Sequence, residues 1–481
     1  RLDLVCAGPP RLSAADEGLS YDPGFDPAPE GTATTTTVLT VGRDGPPAAT
    51  ARFLGALAPT DATVTALEPE AGAASTATVS GAAGPGVLQA EPVDGATALA
   101  AGATLARTDA GDLRGLVGAT CQEAAASAWI VGGSTQLGSS ARLVLDNAGA
   151  TPATVTLTAW GAAGPLDPGQ AGTVLVPAGS ERAVLLESFA AEQARVALHL
   201  TVAGGQVAAW LQDSALRGFT PAGVDLGVPA AEPATTVVVP GVVLEESAIG
   251  DADPTVLRVL NPNPEATTVA LRLLGPDGEV TIPGAEEARL EPGSVTDISL
   301  AGVPAGEYAA ELSAAVPITA SAMLTRVGSP LPDDPDQPVV DRAWTAAAQA
   351  ATSFVVVVPG ERAVGAAVVL TNPGDAAVTA ELRPVTADGE VGEVGTLRVP
   401  ARSTAVVEPE ALSGAVALEV SVPETGGPAD ADGAAAGGGA GGLLGAAVLT
   451  AEAPDGTLIT VLGAQRDLQA SQTVAVRLAQ P

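Results

Sequence analysis

His199 is the only histidine in the 481 residues, and the chain contains no lysine. Together these facts remove the Walker phosphate loop, the Schiff base, the Ser-x-x-Lys nucleophile and most acid–base schemes. In ARVALHLTV, Val196, Leu198, Leu200 and Val202 alternate with Ala197, His199 and Thr201, so a strand period turns His199 away from the core. No Gly-x-Ser-x-Gly elbow accompanies it, and no His/Cys cluster has zinc-ligand spacing. Carboxylates remain. Asp251 with Asp253, Asp333 with Asp334 and Asp336, and Asp430 with Asp432 before Gly433 are grouped acids that calcium accepts, but none completes a twelve-residue loop with a closing Glu. Solvated acidic turns are the plainer reading. A glycoside hydrolase needs only two carboxylates. Its sugar platforms would come from Trp129, Trp160, Trp210, Trp344, Tyr21 and Tyr308, whose commoner role in so aromatic-poor a chain is packing. No catalytic, cofactor or metal site is expected.

Composition narrows the partners and the compartment. The net charge of −34 repels phosphate backbones and anionic headgroups, which excludes nucleic acid as a partner. Cys6 and Cys121 are the only cysteines and bracket the first quarter of the chain, the pattern of a disulfide in an exported protein. The chain begins with Arg1 and has no apolar run long enough to span a bilayer. An extracytoplasmic, cell-surface location is therefore expected, with a signal peptide or N-terminal membrane anchor missing from this sequence.

The elements that must position these residues are written in a repeat. LVLDNAGATPATVTL, LRVLNPNPEATTVAL and VVLTNPGDAAVTAEL each run from an apolar strand through a turn into a strand of alternating Thr and apolar residues. Their anchoring Asn147, Asn261 and Asn372 recur at intervals of about 110 residues, the length of one immunoglobulin-type β-sandwich. Turns carrying Ser180, Ser294 and Ser403 follow at matching distances, and Asp-Gly steps at 277–278, 388–389 and 455–456 read as hairpin turns. Tyr308 stands where many such sandwiches carry a tyrosine corner. The expected fold is all-β, a row of tandem immunoglobulin-like sandwiches: 1–125, diverged and stapled by Cys6–Cys121; 126–233; 234–346; and 347–481, with a glycine-rich loop at Gly426–Gly442. The three asparagines are expected in equivalent structural turns, where Asn tolerates left-handed backbone and bonds to nearby amides.

LVCAGPPRL, SAWIVGGSTQLGSSARLVLDNAG and the Asn-Pro-Gly hairpins together resemble a family of actinobacterial secreted, membrane-anchored β-rich proteins of unassigned function. Ala7 stands where that family would have proline after the cysteine. The resemblance implies a gene neighbour, a large polytopic glycosyltransferase of envelope polysaccharide synthesis. The expected function is a non-catalytic accessory subunit that docks on such a membrane protein complex or on its cell-wall glycan. The alternatives are a surface stalk or adhesin and a carbohydrate-binding or carbohydrate-active protein. Trp129 and Trp344, near the joints between segments, are the candidate anchors for the partner.

Overall fold

In a computed structural model the chain is almost wholly antiparallel β-structure, with no α-helix among the described residues. The structure describes residues 1–12, 32–42, 48–60, 62–67, 74–95, 97–282, 284, 286–332, 334–360, 364–423 and 441–467. Tyr21, Asp333, Asp430, Asp432, Gly433 and all but the last two residues of the glycine-rich loop lie outside them.

Four consecutive units, 2–123, 127–227, 234–346 and 353–466, each fold two sheets around a shared apolar core. The alternation in the sequence decides which face is buried. In Ala153–Gly161, Ala153, Val155, Leu157 and Ala159 point inward, while Thr156 and Thr158 face solvent. In that unit Ile130, Leu198 and Leu200 on one sheet meet Leu143, Leu145 and Leu211 on the other. With so few aromatic side chains, each core is filled by Val, Leu and Ala.

One sheet has the same four-stranded order in every unit. In the second unit it runs Ser180–Leu185, Ser139–Asn147, Ala208–Arg217, Thr220–Gly227; in the fourth, Ser403–Val406, Val364–Asn372, Leu444–Ala453, Gly456–Gly463. The first unit repeats this with Ser75–Ser80, Ala33–Val41, Leu99–Thr108 and Gly115–Thr120. In the third, the strand Gly306–Leu331 continues from one sheet into the other without a break, so eight strands form one connected sheet.

The asparagines hold equivalent turns by their side chains. Each is fully buried. Asn147 Nδ2 donates to Thr151 O (2.9 Å) and Val176 O (3.0 Å), and its Oδ1 accepts from Gly149 N at 2.9 Å. Asn261 repeats the set with Glu265 O, Glu291 O and Asn263 N, and Asn372 with Ala376 O, Pro400 O and Gly374 N. None of the three has a positive φ, so backbone tolerance is not the reason for Asn here. The amide is needed because, itself buried, it offers donors and an acceptor to three backbone groups of the turn at once. The aligned serines are their cross-strand partners: Asn147 lies opposite Ser180 and Asn372 opposite Ser403, and Asn261 N donates to Ser294 O. In the first unit Thr40 lies opposite Ser75 and donates to Ala49 O at 3.0 Å, so the same position exists there with a different residue.

The units do not form an open row. The last strand of the four-stranded sheet in each unit has a free edge, and the four edges converge: first against second, second against third, third against fourth, fourth against first. Apolar residues seal each joint. Val117 and Ala119 pack with Trp210 and Val224 at the first, Trp160 with Leu260 and Val295 at the second. Val242 packs with Ala446 and Val461 at the third, and Leu116 with Leu458 and Leu462 at the fourth. The third joint is also clamped by Arg402, held at φ 54°, whose guanidinium bonds Glu311 (2.5 and 2.6 Å) and Glu279 (2.7 Å). Cys6 and Cys121 are disulfide-bonded and join the two sheets of the first unit.

Candidate functional site: the axis of the ring

Free strand edges carry unpaired N–H groups, and here they are buried where no water can serve them. Two aspartates take that role. Asp225, from the second unit, accepts from Trp344 N of the third (2.6 Å), Thr460 Oγ1 of the fourth (3.2 Å) and, at a longer 3.4 Å, Gly118 N of the first. Asp341, from the third unit, accepts from Ile459 N of the fourth (2.8 Å) and Leu116 N of the first (3.4 Å). A third, Asp213, accepts from Arg342 Nη1 (3.1 Å) and Trp344 Nε1 (3.0 Å). Arg114 Nη2 donates to Asp455 at 2.5 Å across the fourth joint. The small residues beside these groups are required by space: a Cβ on Gly115 would stand 2.8 Å from Asp341 Oδ1, and one on Gly118 2.9 Å from Thr460.

Burial sets the charge state of this cluster. Asp341 is pushed up to about 7, burial outweighing its backbone hydrogen bonds and the Arg114 guanidinium. Asp225 is raised well above the ordinary carboxylate range by burial, with the Asp341 charge acting the same way. Carboxylates so engaged cap backbone.

Beyond the carboxylates, an axial cavity of about 390 Å³ is lined by the segments that follow the four inner strands, among them Gln122, Glu123, Glu232, Gln349 and Arg466. Arg466 Nη1 donates to Gln349 Oε1 at 2.7 Å, and Glu123 is raised by burial against the opposing pull of Arg466.

His199 does point outward, half-buried, and it lies under the Trp129 ring, with centroids 4.0 Å apart and planes within 12°. Trp129 stacks in turn on Trp160 at 5.6 Å. His199 Nε2 is 3.0 Å from Ser127 Oγ, which lies 3.3 Å from Glu232 Oε1; Glu232 Oε2 accepts from Trp129 Nε1 at 2.9 Å. A Ser-His-acid triad places its acid on the far nitrogen of the imidazole. Here the carboxylate lies on the serine side, the order of a structural relay. Burial lowers the His199 pKa, so the ring is neutral at pH 7.

One expectation needs correction. Trp344 is 3% exposed, bonded to Asp225 and Asp213 and covered by the Arg258 guanidinium 5.1 Å above its ring, so it anchors the chain's own second joint and is not open to a partner. The inner strand edges are likewise enclosed by the ring. Trp129 remains partly exposed. Of the acidic groups, Asp253 pairs with Arg217 across the second joint and Asp251 accepts from Ala248 N within its own turn. No group of three or more metal-binding side chains occurs among the described residues. Asp225, Asp341 and Asp213 were missed because each stands singly in a strand, as in GVDLG, VVDRAW and LQDSA; the signal was one acid flanked by apolar residues in a segment patterned for burial.

The class defined by this fold and axis is an all-β, disulfide-stapled chain closed on itself around buried carboxylates. The chain belongs to a family of unknown function, DUF5719, whose model matches residues 73–410. No curated protein and no solved structure matches it significantly. The disulfide, and the lack among the described residues of a helix long and apolar enough to cross a membrane, are compatible with an extracytoplasmic protein.

Proposed function

We propose that the protein is a non-catalytic extracytoplasmic accessory subunit, built from four immunoglobulin-like sandwiches, that docks on a membrane protein complex of the cell envelope. The observation that carries this reading is a pair of exposed apolar side chains near the second joint: Leu137 (93% exposed) and Ile249 (88%). Their loops are drawn together by Leu216 N donating to Gly138 O (2.6 Å) and by the Arg217–Asp253 pair. Large apolar side chains grouped on an otherwise strongly acidic surface mark an interaction site. The net charge of −34 disfavours anionic lipid as the occupant and favours a protein. The resemblance drawn from the sequence makes that protein a polytopic glycosyltransferase.

A stalk gains length by adding units end to end, which suits poorly a chain whose first and last units touch. A carbohydrate-active enzyme would need paired carboxylates free to move protons, whereas the axial aspartates serve backbone N–H groups. The test is native co-purification of the full-length, anchored protein from membranes. A membrane protein should be retained by the wild type and lost in Leu137→Ser/Ile249→Ser with unchanged melting temperature. Equal recovery from both, or none from the wild type, refutes the reading.

A further inference from the structure

The axial cavity is independent of that docking face, and its chemistry points elsewhere. Its volume of about 390 Å³ falls in the range of small-ligand sites, and its place on the axis is where closed ring folds commonly hold ligands. Alanines at 230, 231, 346, 347 and 348 keep the space open; Trp344 and Phe354 border it but are 3% and 1% exposed, so the wall a ligand meets is small and aliphatic.

The polar groups select the ligand. Gln122, Gln349 and Gln465 bring three primary amides, each both donor and acceptor, which matches the dual character of a hydroxyl. Gln122 Nε2 is itself buried and has no hydrogen-bond partner among the described residues, so the amide must turn toward the cavity to find one. The lining carries two carboxylates and one guanidinium: Glu123 lies in the field of Arg466, and Glu232 accepts from Trp129 and Ser127. An anion would meet two carboxylates, and a cation would meet a guanidinium. An extended peptide would need open strand edges, and the inner edges already bond to Asp225 and Asp341.

We propose that the axial cavity binds an uncharged, hydroxyl-rich ligand the size of one or two sugar rings, held by the amides of Gln122, Gln349 and Gln465 against the alanine-lined wall. Saturation-transfer NMR on the intact protein tests it, with glucose, galactose, N-acetylglucosamine, maltose and trehalose at millimolar concentration and the uncharged peptide N-acetyl-trialanine amide as comparator. At least one saccharide should receive saturation. Its affinity should fall tenfold or more in Gln122→Leu and in Ala348→Phe, an exposed wall position whose larger side chain fills the cavity without touching the axial carboxylates. Melting temperatures establish that the variants are folded, and either variant alone suffices. Transfer to no saccharide, transfer unchanged in the folded variants, or transfer to the peptide alone overturns the proposal.

Discussion

Replacing Asp341 by asparagine should remove a defined part of the protein's pH dependence. The carboxyl is fully buried between the third, fourth and first units, with Arg114, Arg326 and Asp225 as the charged groups in its field. Its pKa is about 7 in the fold against 3.8 as the ordinary value. A raised carboxyl binds its proton more tightly in the folded than in the unfolded chain, so its contribution is greatest below the unfolded value and declines as pH rises from 4 to 7. At 1.36 kcal/mol per unit, that decline is about 4 kcal/mol. Asparagine keeps an acceptor for Ile459 N but carries no titration. Because the other acids titrate in both proteins, the informative quantity is the stability difference between wild type and Asp341→Asn, from urea unfolding at intervals between pH 4 and 8. It should move in favour of the variant by about 4 kcal/mol across that range and level off above pH 7. A difference that stays constant with pH would refute the burial argument for the axis.

Other perturbations follow from the same contacts. Asp225→Ala leaves the buried N–H of Trp344 without an acceptor and should destabilise by roughly 2–4 kcal/mol in denaturant melts, with Asp225→Asn, which keeps an acceptor, recovering much of the loss. Asn261→Ala removes three hydrogen bonds between a buried side-chain amide and the backbone and should cost about 2–4 kcal/mol, with Asn147→Ala and Asn372→Ala matching it; a cost under half a kcal/mol at any of them would contradict the equivalence. Reducing Cys6–Cys121, which are separated by 115 residues, should cost about 4–5 kcal/mol in the chain-entropy picture. Because the first unit packs on both the second and the fourth, hydrogen exchange should then rise at Trp344 and Ile459 as well as within the first unit. Gly115→Ala drives a methyl against Val224 and Asp341 and should lower the melting temperature, whereas Gly218→Ala, where nothing lies within 4 Å but φ is +64°, should carry only the cost of a left-handed alanine.

The parts of this architecture visible in the sequence are those written in local patterns. Thr-apolar alternation gave the strands, the repeated Asn-turn phrase marked three equivalent turns, and the period of ARVALHLTV turned His199 outward. Ring closure is not a local property. It rests on contacts such as Thr460 with Asp225, 235 residues apart, and no alternation or turn motif encodes which free edge meets which. Trp344 was misjudged for the same reason: at a joint between units, an exposed anchor and a buried one have the same sequence, and Asp225, Asp213 and Arg258, each distant in the chain, decide between them. The first unit hid its kinship because Thr40 replaces the asparagine while keeping the cross-strand serine, a match in register that only the pairing reveals.

Closure of the four units around their inner edges is the claim on which the axial carboxylates, the cavity and the docking face all depend. Small-angle X-ray scattering of the monomer in solution tests it most directly. A closed ring of this length predicts a compact particle with a radius of gyration of about 23 Å. A rod-like scattering curve, with the cross-section of one unit and the length of four, would contradict it.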